Sequence, residues 1–179
     1  LYKKLGWQPQ PGESEDDTML RSTIIGTMLY AEDAETIEHA RTLYKTTDID
    51  QLDPELRSLV LIAEVRHGDT NAALQKLLQV YKNTASVDLK NDICDAVTSV
   101  REPSDINMLL GLLTDTSLIR TQDTPTWYVR LLSNRYARTA TWDWLRKNWD
   151  WIQTTFGGDK SYDAFPRYSA QILATRKQL

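Results

Sequence analysis

The stretch Thr141-Trp142-Asp143-Trp144-Leu145-Arg146-Lys147-Asn148-Trp149-Asp150-Trp151-Ile152 decides how this chain is read. Four of its six tryptophans lie here. Trp142, Leu145, Trp149 and Ile152 recur at helical spacing and make one apolar stripe. Trp144 and Trp151 sit two turns apart on another face. A helix that is apolar on two faces is sandwiched between neighbours. The stripe Trp142, Leu145, Trp149 and Ile152 is therefore assigned to the structural core. An aromatic platform for a ligand is the alternative.

Working outward, helix signals recur on both sides. Thr124-Pro125 starts the preceding helix, which carries Trp127, Tyr128 and Leu131. Gly157-Gly158 stops the tryptophan helix, and a last helix begins near Ser161 or Pro166 and runs to the end of the chain. Toward the amino end, Gly6 to Gly12 reads as a loop broken by Pro9 and Pro11. Ser14 is an N-cap, with Glu15, Asp16 and Asp17 complementing the helix dipole. Leu20, Ile24 and Met28 are expected to line the inner face of that helix. Asp33 caps the next, with Ile37, Ala40, Leu43 and Tyr44. Asp53-Pro54-Glu55 is a strong start signal, followed by Leu56, Leu59, Val60 and Ala63, and Gly68 suits the stop. Asp69 caps a helix with Leu74, Leu77, Leu78 and Tyr81 inward. Ser86 opens another with Leu89, Ile93, Ala96, Val97 and Val100. Pro103-Ser104 breaks it and caps a short helix with Ile106, Leu109, Leu110 and Leu113.

No segment alternates like a strand, so the fold class is all-α. Alternate helices start near Asp16, Pro54, Val87, Pro125 and Ser161. That is a period of roughly 35 residues, within the range of helical-hairpin arrays. The expectation is an α-solenoid of antiparallel helix pairs, a HEAT- or armadillo-like right-handed superhelix, in one helical-repeat domain over residues 1–179.

Composition bounds the function. The chain has 179 residues and a net charge of −4, which disfavours nucleic acid as a partner. No apolar run is long enough to span a bilayer, so no membrane association is expected. The single cysteine, Cys94, excludes an internal disulfide and reads as a small buried hydrophobe. Both ends read as cuts within a longer protein, and the expected location is cytoplasmic.

No catalytic constellation emerges. His39 and His67 are the only histidines, on different predicted helices, so no metal site or cofactor is assigned to this chain. The acidic run at Glu15 lacks the alternating ligands of a calcium loop. Gly157-Gly158-Asp159-Lys160-Ser161 looks like a phosphate loop but follows a helix and lacks the spacing. Arg120, Arg130, Arg135, Arg138, Arg146 and Lys147 make the second half locally basic. They read as a solvated face or as a pocket for an anionic group such as a peptide carboxylate.

Several motifs in order carry a resemblance. They are Leu5-Gly6-Trp7, Gly12-Glu13, Leu20-Arg21, Leu56-Arg57, Lys90, Ile119-Arg120-Thr121-Gln122-Asp123, Trp142 to Trp149 and Ala174 to Leu179. Together they resemble the C-terminal domain of M1-family zinc aminopeptidases, the aminopeptidase N group. The resemblance implies a HEAT-like superhelix packed against a catalytic domain of the same polypeptide and closing over its active site. It implies a parent enzyme that removes N-terminal residues from peptides with one zinc. The zinc ligands and the general base would lie upstream, since this chain has neither H-E-x-x-H nor G-x-M-E-N. The alternative is a stand-alone HEAT-like scaffold for protein partners. Arg21, Arg57 and Arg130 each belong to the first helix of a predicted pair. They are the candidate lining of a peptide chamber, the alternative being helix-surface pairs with acids such as Asp17 and Asp53.

Overall fold

A computed structural model describes residues 5–8, 11–158 and 161–173. The architecture is all-α, and no strand occurs among the described residues. The helices are α1 (Glu15–Tyr30), α2 (Ala34–Thr46), α3 (Pro54–His67), α4 (Thr70–Asn83) and α5 (Val87–Val97). They continue as α6 (Pro103–Leu112), α7 (Thr124–Ser133), α8 (Arg138–Lys147), α9 (Trp149–Phe156) and α10 (Ala164–Ile172). Pro9, Asp159, Lys160 and the segment from residue 174 onward lie outside the described residues, so the end of the last helix does too.

Capping side chains explain the starts of α1 to α5. Ser14 Oγ accepts from the Asp17 amide at 3.1 Å, and Asp33 Oδ1 from the Thr36 amide at 2.9 Å. Asp53, Asp69 and Ser86 do the same for α3, α4 and α5. Each side chain satisfies an amide that the first turn leaves without an intrahelical partner. Ser104 does not cap α6: Glu102 occupies that position and Pro103 opens the helix.

The chain divides into two compact units, Leu1–Leu77 with Ser86–Ala96, and Leu78–Ala85 with Val97–Leu179. In the first unit, α1, α2 and α3 pack on one another. Ile25, Leu29, Ala40, Leu56 and Ala63 form the shared core, with Trp7, Ile37 and Leu59 against it. The buried face of α1 is Arg21, Ile25 and Leu29. It lies one residue, about 100° of helix, from the expected Leu20, Ile24 and Met28. Leu20 is exposed, and Ile24 and Met28 are half-buried. A face that includes an arginine escapes a pattern read from apolar residues alone.

In the second unit, α7 packs on α8 and α10, while α8 also packs on α6 and α9. Trp127 is buried and meets Tyr81 edge-on, with ring centroids 5.2 Å apart. Its indole Nε1–H donates to Tyr81 Oη at 3.1 Å. Phe165 packs against both Tyr128 and Phe156 at 5.2 Å. The Asn134 side-chain amide donates to the carbonyls of Thr98 and Val100 at 2.9 and 2.7 Å, fastening the turn after α7 to that after α5.

The tryptophan stretch is not one helix. It breaks at Asn148 between α8 and α9, where φ and ψ are −108° and 20°. The Asn148 side chain donates to the Trp144 carbonyl at 2.8 Å, beside the Asn148 amide, which reaches the same carbonyl at 3.0 Å. Leu145 and Ile152 are buried, but Trp142 and Trp149 are only half-buried, and Trp144 takes the buried position. Trp149 instead meets Tyr162 edge-on at 6.1 Å.

This burial ranks the tryptophans. Trp127→Ala should cost about 3–5 kcal/mol in denaturant unfolding, because it leaves a cavity and removes the donor to Tyr81. Trp149→Ala should cost clearly less. Equal losses in the two variants would show that the aromatic core is misassigned.

Candidate functional site

The sequence singled out Arg21, Arg57 and Arg130, and the structure places them in different surroundings. Arg21 is 3% exposed. Its guanidinium meets the Glu13 carboxylate and donates to the Leu5 carbonyl at 3.4 Å. Arg57 is 7% exposed, and its Nε–H donates to Asp92 Oδ2 at 2.6 Å. Arg130 lies exposed on α7, in the second unit. The partners of Arg21 and Arg57 are Glu13 and Asp92, not Asp17 and Asp53. Neither is a surface contact within one helix: one reaches the loop before α1, the other crosses from α3 to α5.

A third pair follows the same plan. Arg41 Nε donates to Glu64 Oε2 at 3.1 Å, and Glu64 is buried. Gly68 leaves room for that carboxylate, since a Cβ there would stand 2.1 Å from Glu64 Oε1. Buried arginines and carboxylates are tolerated when each satisfies the other.

Beside Arg57 lies a cavity of about 230 Å³ within the first unit. Leu43, Leu52, Leu56 and Val60 line its apolar part. Trp7 and His39 form one wall, stacked with centroids 4.7 Å apart and planes 23° from parallel. Thr47, Gln51 and Asp53 add polar groups. Asp53 already accepts the Glu55 amide at 2.9 Å. The arrangement offers shape and hydrogen bonds but no nucleophile held against a base, so it suits contact rather than covalent chemistry. Sequence reading missed the Trp7–His39 wall, because one partner sits in a loop and the other on an exposed helix position.

Two perturbed groups have structural causes. Burial raises the Asp92 carboxyl, and the Arg57 hydrogen bond and charge only partly offset it; Asp88 adds a smaller upward push. Tyr128 is pushed up to about 12 by burial, against a lowering hydrogen bond to Ser169. Ser169 Oγ–H donates to the Phe165 carbonyl at 2.8 Å, so Tyr128 Oη donates to Ser169 at 2.6 Å. A phenol so placed is no proton acceptor near neutral pH. Among the described residues, no three His, Cys, Asp or Glu side chains cluster to hold a metal ion. No helix among them is long and apolar enough to cross a membrane.

Comparison with known proteins places these features. The family model of the ERAP1-like C-terminal domain matches residues 1–179. Aminopeptidase N of Lactobacillus helveticus is 34% identical over 178 residues, covering 98% of this chain and 21% of that protein. Aminopeptidase N of Lactococcus lactis subsp. lactis is 27% identical over 180 residues, with 99% and 21% covered. Glutamyl aminopeptidase of Bitis rhinoceros is 29% identical over 154 residues, with 85% and 16% covered. The chain spans about one-fifth of the length of its aminopeptidase N relatives.

The raised Asp92 sets a pH test. Burial holds its folded-state pKa above the ordinary value of 3.8, so the folded protein holds the proton more tightly than the unfolded chain. This contribution is present below 3.8 and is lost as pH rises through the folded-state value. Wild type should lose stability relative to Asp92→Asn over that window in urea titrations at successive pH values. A relative gain over the same window would mean that the arginine, not burial, dominates Asp92.

Proposed function

The chain belongs to the ERAP1-like C-terminal domain family, the helical C-terminal domain of M1-type aminopeptidases, and from that premise we propose that it serves a larger zinc-dependent aminopeptidase as a non-catalytic domain. The parent polypeptide removes N-terminal residues from peptides. Its catalytic domain holds the zinc, and this chain caps the peptide chamber and supports closure. The observation that carries the reading is the match over residues 1–179, set against the chain's 21% share of aminopeptidase N relatives.

Zinc does not fit the residues described here, because no three ligating side chains converge. No step of peptide hydrolysis is therefore assigned to this chain. A positive wall of Arg21, Arg57 and Arg130 would need guanidinium groups open to a peptide carboxylate. Two of the three are engaged by Glu13 and Asp92. Arg21 and Arg57 are given an architectural role: they hold the helices whose surfaces face the chamber.

Removal of the domain tests the proposal. The full-length polypeptide should release amino acids from aminoacyl and peptide substrates, lose that activity to a chelator and regain it with zinc. Deleting these 179 residues should leave the zinc content intact but lower kcat/KM for peptides. The isolated chain should release nothing. A full-length polypeptide inert toward all such substrates, or a deletion without effect on peptide turnover, would defeat the reading.

A further inference from the structure

Helix α1 presents two different faces. Arg21, Ile25 and Leu29 are buried on one. Directly opposite, within about 100° of helix, lie Met19, Leu20, Thr23, Thr27 and Tyr30. Met19 is 76% exposed, Leu20 42% and Tyr30 79%. From Thr18 to Tyr30 the only charged residue is Arg21, which is turned inward. Solvent thus meets more than three helical turns without a single charge. The outer face of α2, by contrast, carries Glu35, Glu38 and Lys45.

On the outer side, Thr27 Oγ1–H turns back onto its own helix and donates to the Thr23 carbonyl at 2.8 Å. Hydroxyls turned back onto their own helix can be buried without leaving an orphaned donor. A helix whose outer side carries no charge has the composition of one covered on both sides. Here the packing covers only one side, and the other is an exposed apolar stripe of the kind that marks an interaction surface.

We propose that the outer face of α1 is the seat of the larger remainder of the same polypeptide, which covers it with an uncharged, apolar surface. This rests on the reading that the chain is one part of a longer protein. Two observations select that occupant. The aminopeptidase N relatives are nearly five times the length of the region matched, so a body large enough to cover a helix belongs to the same chain. The face also lacks the charges that rim interfaces between freely dissociating partners.

Hydroxyl-radical footprinting read by mass spectrometry tests this on two samples, the isolated chain and the full-length polypeptide. Met19 and Tyr30 should oxidise readily in the isolated chain, and severalfold more slowly in the full-length protein. Met19→Glu with Thr27→Glu should leave the thermal midpoint of the isolated chain unchanged and lower that of the full-length protein. Equal oxidation in both samples would overturn the proposal. So would protection in the isolated chain that grows with concentration alongside a dimer in sedimentation, since a second copy would then be the occupant. Peptidase activity is read separately: an inert full-length protein that still protects Met19 would defeat the functional reading while leaving this interface in place.

Discussion

The Arg57–Asp92 pair binds the first unit where apolar packing alone would leave two helices free to slide. Its residues stand 35 positions apart, and the bond runs from the start of α3 to the middle of α5. Hydrophobic contact is non-directional, whereas a guanidinium–carboxylate bond at 2.6 Å admits one register. Arg21 with Glu13 and Arg41 with Glu64 repeat the device at the entry to α1 and between α2 and α3. Such pairs cost desolvation, and the Asp92 carboxyl shows it: burial holds it above its ordinary range despite the arginine beside it. What they supply is position. The second unit reaches the same end with neutral groups, through Trp127 on Tyr81, Tyr128 on Ser169 and Asn134 on two carbonyls.

That division explains what could be read in advance. Helix starts were legible because caps are local: Ser14, Asp33, Asp53, Asp69 and Ser86 each act within three residues. The spacing of alternate helices was legible from the same start signals, and they begin at Glu15, Pro54, Val87, Thr124 and Ala164. The inner face of α1 was not, since Arg21 occupies a core position and Leu20 a surface one. Glu13 and the Leu5 carbonyl make that exchange tolerable, and no periodicity reports them. The tryptophan stretch misled for a related reason. Helical spacing continues through Asn148, but the backbone leaves helical geometry there, with the Asn148 side chain and amide both donating to the Trp144 carbonyl. Trp142 and Trp149 then fall on half-buried positions, and Trp144 turns inward.

The candidate chamber residues follow the same logic. Arg21 and Arg57 stood out as basic residues on first helices of pairs, which is true of their positions and silent about their partners. Asp92 lies one repeat further on, where a stack of helix pairs brings it back beside α3. The described residues neutralise their charged groups in place and wall a cavity with Trp7 and His39. This agrees with membership in a C-terminal domain family whose relatives are aminopeptidases.

Buried arginine–carboxylate pairs fix the helix register, and a double-mutant cycle on Arg57 and Asp92 measures this directly. Urea unfolding of Arg57→Ala, Asp92→Ala and the double variant gives the coupling between the two side chains. The coupling should be favourable by about 1–3 kcal/mol, with the double variant less destabilised than the sum of the singles. Additive losses, with coupling near zero, would contradict it and leave the first unit held by its apolar core alone.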